Sequence, residues 1–259
     1  IIYSENSSDY AYSVNDAGDG VTITKYNGEA KTVVIPSELG GKPVTAIGEN
    51  AFFQNKTITS VKIPEGVTSI GNSAFAQTNL TEVEIPKSVK NIERYAFNCC
   101  YNLEEVTIPG GVQRTGNYAF AYCTRLKQVI ISDGVEIIGT SAFYGCSSLT
   151  EVTIPKSVTS IEYEAFTDCD ALKTVYYGGS QTDWGKISIG SENDPLKNAP
   201  NIIFAIQESN GFAYTVTGDE ATITGYTGSA RSLVIPSELG GKPVTAIADK
   251  AFYGYKTPN

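Results

Sequence analysis

Five cysteines and a spaced set of carboxylates are the residues of this chain with the most chemistry open to them. Cys100, Cys123, Cys146 and Cys169 recur every 23 residues, and Cys99 stands beside the first. Thiolates attack, oxidise or bind metal, but zinc sites and disulfides need converging Cβ vectors and, for zinc, short paired spacings. A 23-residue ladder sets its thiols one layer apart with parallel directions, which predicts a column of small buried groups. Vicinal Cys99-Cys100 is a candidate redox pair, although neighbouring side chains point apart. The second set is Glu82, Glu84, Glu104, Glu105 and Glu151, with Lys127, Ile130 and Tyr176 at comparable strand positions. Paired carboxylates can hydrolyse glycosides without histidine, and layers about 4.8 Å apart would bring neighbours within reach. An open wall, however, has no pocket to raise one pKa or exclude water. These eight residues are therefore expected to form a ligand-binding strip, its acids favouring a basic protein partner, and no catalytic residue is expected.

The chain has no histidine, which removes Ser-His-Asp and Cys-His nucleophile systems and imidazole metal sites. Asn15, Asp16 and Asp19 hint at a calcium loop but lack the EF-hand order and its terminal Glu; a hairpin turn explains them. Ser191-Glu192-Asn193-Asp194 reads as a surface loop. Gly40-Gly41 and Gly178-Gly179 are not followed by the Gly-Lys-Ser/Thr of a phosphate-binding loop. No metal and no cofactor are expected. With 19 basic and 28 acidic residues the formal charge is −9, which repels nucleic acid and anionic lipid over roughly 8 Å at physiological salt, so neither is an expected partner. No apolar run approaches the roughly 20 residues of a spanning helix, and Ile1-Ile2-Tyr3-Ser4 is not a signal peptide. Because the chain has no Met, it is expected to be a processed piece of something larger.

Behind these candidates lies a repeat. Ala-Phe recurs at Ala51-Phe52, Ala74-Phe75, Ala96-Phe97, Ala119-Phe120, Ala142-Phe143 and Ala165-Phe166, the phenylalanines stepping by 23, 22, 23, 23 and 23 residues. Between them come Val61-Lys62-Ile63-Pro64, Val83-Glu84-Ile85-Pro86, Val106-Thr107-Ile108-Pro109, Val129-Ile130-Ile131-Ser132 and Val152-Thr153-Ile154-Pro155. The Val-x-Ile alternation is that of a short half-buried strand, pairing in parallel with its equivalents. Proline lacks the amide proton that would extend the ladder and so ends the strand. Val158 and Ile161 return to the core on the opposite wall, and Ala165-Phe166 is expected in one helical turn. A unit sends about seven apolar groups inward at roughly 1.5–3 kcal/mol each. Ordering costs about 1–2 kcal/mol per residue, so one unit alone is unstable and only a stack persists.

The run Leu-x-x-Val-x-Ile-Pro-x-x-Val-x-x-Ile-x-x-x-Ala-Phe-x-x-Cys resembles the BspA-like bacterial subclass of leucine-rich repeats, over about residues 31–177 and again from 231. The resemblance implies a secreted or cell-surface protein, extracellular in location, and an adhesin role toward host matrix proteins. The expected fold is a right-handed β-rich solenoid with turns of about 23 residues, parallel strands, short helical turns and β-hairpin caps.

Four segments follow. Residues 1–30 are an N-terminal capping hairpin, with Tyr10–Val14 and Val21–Tyr26 around a turn-rich centre. Residues 31–175 are the solenoid. Residues 176–205 depart from the period and resemble the family's closing segment, with Trp184 plugging the stack. Residues 206–259 begin a second module: Phe212–Val216 and Ala221–Tyr226 repeat the hairpin, and 34–47 is identical to 234–247. The insertion at 38–43 and its copy at 238–243 lengthen only the first turn of each module, as a loop would. The favoured function is non-catalytic protein binding and adhesion through the solenoid surface. The alternatives are a structural spacer or self-associating array, joined through the open end of the second module, and carbohydrate binding suggested by Tyr95, Tyr118, Tyr122, Tyr144 and Tyr163.

Overall fold

The computed structural model describes residues 3–4, 7–204, 207–209, 212–226, 234–249 and 251–252. Residues 231–233, where the repeat is expected to resume, and 253–259, at the expected open edge, lie outside them. The chain coils as a β-solenoid around one hydrophobic interior. Three backbone ladders run along it, because each turn places the same residue types at the same three corners.

The front wall is a parallel ladder in two parts. Tyr3–Ser4, Thr32–Val34, Ser60–Lys62 and Glu82–Glu84 pair in order, and Glu105–Ile108, Gln128–Ile131, Glu151–Ile154, Thr174–Tyr177 and Asn201–Phe204 form the second part. The alternation puts Val61, Val106, Val129, Val152 and Val175 inside and leaves Glu105, Thr107 and Ile130 outside. The side wall is built of shorter strands, among them Lys42–Ile47, Ser69–Ile70, Asn91–Ile92, Ile137–Ile138 and Ser160–Ile161. Single parallel bridges, Ile92 with Thr115 and Arg114 with Ile137, carry it past the middle.

The third corner is the Ala-Phe segment, and it is not helical. It is a run of turns flanked on both sides by residues in the left-handed region. Asn50, Ser73, Tyr95, Tyr118, Ser141 and Glu164 stand two before the phenylalanine, and Gln54, Gln77, Cys99, Tyr122, Gly145 and Asp168 two after it, all with φ between 52° and 69°. Those kinks turn the amides along the solenoid axis, which a helical turn would prevent. The Phe52, Phe75, Phe97, Phe120 and Phe143 N–H groups each donate to the alanine carbonyl of the following turn at 2.7–2.9 Å. The six rings stack with centroids 4.7–5.5 Å apart and are almost wholly buried.

The four periodic cysteines are wholly buried in a column, as the spacing predicts. Each thiol donates to the phenylalanine carbonyl of the preceding turn: Cys100 to Phe75, Cys123 to Phe97, Cys146 to Phe120 and Cys169 to Phe143, at 3.2–3.4 Å. Thr78 holds the cysteine position of its own turn and gives its hydroxyl to the Phe75 carbonyl at 2.9 Å. All five cysteines are free thiols.

At the start, Tyr10–Val14 and Val21–Tyr26 pair antiparallel at the end of the side wall, and Tyr26 stacks on Phe52. The Asn15 side chain accepts from the Asp19 and Gly20 amides, so Asn15 and Asp19 make the turn and not a cation loop. The insertion at 38–43 is a two-residue hairpin rather than a loop. Glu38–Leu39 pairs antiparallel with the start of Lys42–Ile47, and Gly40 and Gly41 at φ 60° and 74° supply the two positive angles such a turn requires.

The 176–204 segment keeps the ladders despite its irregular sequence. Ser188–Ile189 pairs with Ser160–Ile161, and Asn201–Phe204 pairs with Thr174–Tyr177. Ser191-Glu192-Asn193-Asp194 is not a simple surface loop, because Asn193 is buried. Its Oδ1 accepts the Phe166 N–H at 2.9 Å, where every earlier turn offers an alanine carbonyl. Its Nδ2 donates to the carbonyls of Glu162, Gly190 and Ser191. Trp184 is half-buried, packs against the hydrophobic core and meets the Tyr177 ring edge-on at 5.1 Å.

Candidate functional site

One turn is a residue short. Leu80 follows Phe75 by five residues, whereas Ile58, Leu103, Leu126, Leu149 and Leu172 follow their phenylalanines by six. The chain therefore reaches Glu82–Glu84 by a tighter bend, and this is where the front wall splits: Glu82–Glu84 pairs with Ser60–Lys62 but not with Glu105–Ile108. Continued pairing would also set Glu82 opposite Glu105, a destabilising like-charge pair. The side wall and the Ala-Phe ladder pass the same level unbroken, and the Glu104 N–H still donates to the Thr81 carbonyl at 3.2 Å just before the strands, so the opening is confined to the strand segment of the front face.

A groove of about 570 Å³ lies across the split. Its floor includes Val83 and Ile85, half-buried here although their equivalents in the turns on either side, Val61 and Ile63 and Val106 and Ile108, are buried, together with Val106 and the exposed Ile130. Lys62, Glu82, Glu84 and Glu105 stand around them. A second depression shares Glu82 and Glu105 and extends to Glu104, Lys127 and Glu151. Seven of the eight residues singled out by strand position thus line one continuous area. Tyr176 lies apart, aligned with Ile130 in the same outward column but two strands farther along, through Thr153.

The acids are not a uniform strip. Glu84 pairs with Lys62 at 3.3 Å, and Glu104 pairs with Lys127 at 2.8 Å and Arg125 at 3.4 Å. The hydrogen bond and charge of Lys127 hold the Glu104 carboxyl below its usual range. Glu151 takes a hydrogen bond from Gln128 at 3.3 Å. Glu82 and Glu105 alone of the five have no ion pair or side-chain hydrogen bond among the described residues. Exposed pairs of this kind contribute about 0–1 kcal/mol each, so the ion pairs shape the field more than they hold the fold. The arrangement offers an apolar floor with two uncompensated negative charges. It offers no dry pocket in which a carboxylate would be held protonated for acid catalysis.

Lys62, Val83, Ile85 and Arg125 belong to this area and are absent from the strand-position reading. The 22-residue step was the available signal. The tyrosines form a separate band. Tyr95 and Tyr118 stack at 5.1 Å with the Arg94 guanidinium 4.5 Å from the Tyr95 ring centroid, while Tyr101, Tyr122 and Tyr163 are exposed. Among the described residues no group of three metal-binding side chains occurs and no helix is long and apolar enough to cross a membrane.

A stacked repeat with an open front wall is a protein-interaction type of fold. Residues 45–173 match six copies of the BspA type leucine rich repeat region, and the chain belongs to that family, whose proteins are generally non-enzymatic. Among solved structures it is similar to the T. pallidum leucine rich repeat protein TpLRR, at 28% identity over 71% of this chain and 85% of that one, with a TM-score of 0.66. It is also similar to a leucine-rich repeat protein from Bacteroides capillosus, at 31% identity over 48% of this chain and 94% of that one, with a TM-score of 0.44. The pneumococcal vaccine antigen PcpA shares the fold at 17% identity over 75% of this chain and 49% of that one, with a TM-score of 0.55. No curated protein matches the sequence.

Proposed function

We propose that the chain is a non-catalytic protein-binding module of a secreted or cell-surface protein, and that the split in the front wall is its recognition site. The observation that carries this reading is the coincidence, at one place, of a broken ladder, half-exposed Val83 and Ile85, and the unpaired Glu82 and Glu105. A basic segment with apolar flanks fits such a surface, and host matrix proteins rich in Lys and Arg are the class to test. The extracellular location is supported by the family and not by residues of this chain. In this reading residues 1–205 are one module, with hairpin, solenoid and closing segment, and 206–259 begin the next.

The test is binding to a panel of immobilised matrix proteins and glycans, comparing the native chain with Glu82→Lys/Glu105→Lys. Saturable binding to a protein, weakened about tenfold or more in the variant and by added salt, is expected, since desolvated charge pairs at interfaces are costly to break. Equal binding by both proteins would remove the groove from the account, and binding only to glycans, lost on Tyr122→Ala or Tyr163→Ala, would move recognition to the tyrosine band.

A further inference from the structure

Backbone direction makes the split more than a gap between side chains. Successive strand residues turn their N–H and C=O groups to opposite neighbours. The Ser132 N–H donates to the Ile108 carbonyl at 3.0 Å, so Ile108 and Val106 turn their polar groups toward Gln128–Ile131, and Thr107 turns its own toward the split. Before the split, the Ile35 N–H donates forward to the Lys62 carbonyl at 3.0 Å. The registers Val33 with Val61 and Val61 with Val83 carry that alternation on. Val83 and Ile85 therefore direct their backbone groups into the split from its other side. Two strand edges face each other there without pairing, over apolar side chains that are only half-buried.

Two columns of outward side chains flank this place. One contains Glu82 and Glu105, and the other contains Lys62, Glu84 and Thr107. They differ in charge. Lys62 neutralises Glu84 at 3.3 Å, whereas Glu82 and Glu105, on successive strands, stand uncompensated among the described residues. Like charges on neighbouring strands repel, and a cation set between them removes that repulsion. From Ile85 back to Glu82 is about 10 Å of strand, apolar at one end and anionic at the other.

Resting on the groove proposed above as the recognition site, we infer that the element it recognises is an arginine side chain of the partner, laid along the split. The aliphatic stem covers Ile85 and Val83, and the guanidinium lies between the Glu82 and Glu105 carboxylates. Lysine also carries a cation on an apolar stem. The guanidinium, however, offers five donors in a planar fork, enough for two carboxylates and a leftover carbonyl at the strand edge, where an ammonium is a point charge with three. A metal ion would use the acids and leave the apolar end uncovered. Half-buried Val34 and exposed Ile130, farther along the groove on either side, fit apolar residues flanking the arginine.

The experiment titrates the full chain, methyl-labelled at Val, Leu and Ile, with acetyl-Leu-Arg-Leu-amide and follows the methyl NMR spectrum. The Val83, Ile85 and Val106 signals are expected to shift together and to saturate. The citrulline peptide keeps the shape and loses the charge, and is expected to bind at least about tenfold more weakly, with the lysine peptide between the two. Glu82→Gln/Glu105→Gln is expected to weaken the arginine peptide by a similar factor, circular dichroism checking that the fold persists. Arginine, lysine and citrulline are compared on the native chain, so the test stands even if the variant misfolds. Equal affinity for arginine and citrulline overturns the inference, as do lysine binding as tightly as arginine, the absence of a saturating shift at the split, or full affinity in the folded variant. The two readings fail separately. Matrix binding lost in Glu82→Lys/Glu105→Lys without any arginine response keeps the groove as the recognition site and removes arginine as its ligand. An arginine response with no immobilised protein bound keeps the slot and removes the matrix proteins.

Discussion

The cysteine column shows how one side chain can serve the backbone of another turn. The Phe97 carbonyl, for example, accepts from the Cys100 amide of its own turn and from the Cys123 thiol of the next, so both lone pairs are used. A thiol is a weak donor, but it must be protonated to donate at all. Burial pushes Cys100 from its ordinary 9.0 to about 11 and raises Cys123 and Cys146 as well. The folded state therefore holds these protons more tightly than the unfolded state. The stability they contribute is complete below about pH 9 and is lost as pH rises toward 11. Urea midpoints are expected to be level from pH 7 to 9 and then to fall, less steeply in Cys100→Ala. In the same vein, alkylation without reductant should label half-buried Cys99 first and reach the other four only in denaturant. Rapid native labelling at Cys123 or Cys146 would contradict the column. The 23-residue spacing made this burial legible, but the carbonyl partners were not, because each belongs to the neighbouring turn.

At the scale of elements, the departures from expectation share a cause in backbone accounting. The Ala-Phe corner reads as helix from composition, yet a helix satisfies its own amides and would leave no ladder at that corner. Paired left-handed residues redirect those amides to the next turn. The front-wall split is the converse case, a corner where one missing residue and two like charges keep a ladder from forming. Inserting Ser between Thr78 and Asn79, together with Glu82→Lys, is expected to let Glu82–Glu84 pair with Glu105–Ile108. Hydrogen exchange at the Thr107 amide, which faces the split, would then slow. If exchange is unchanged, bend length and charge do not set the split. The 22-residue step was visible in the chain all along; that it opens the front wall alone, with two ladders bridging the same level, was not.

For the molecule as a whole, the ends matter because every interior turn is satisfied by its neighbours. Asn193 closes the first array by presenting a side-chain carbonyl where no further alanine follows. Asn193→Ala leaves the Phe166 amide and three carbonyls without this partner, at a cost of about 2–3 kcal/mol. The variant is expected to lower the thermal midpoint and to raise exchange first over 160–204, spreading toward the middle. Asn198→Ala, at an exposed position just after the short helix Asp194–Lys197, should do little. The sequence by itself determined the repeat, its inward-facing Val-x-Ile and Ala-Phe residues, the buried thiols and the duplicated hairpin, because side-chain alternation and period are properties of residues close together along the chain. Only the tertiary structure decided which strand edges meet, which carboxylates keep a partner and that Asn193 takes the place of the next alanine carbonyl. Those outcomes depend on groups a full turn or more apart, whose encounter is set by how the turns stack rather than by what any one turn contains.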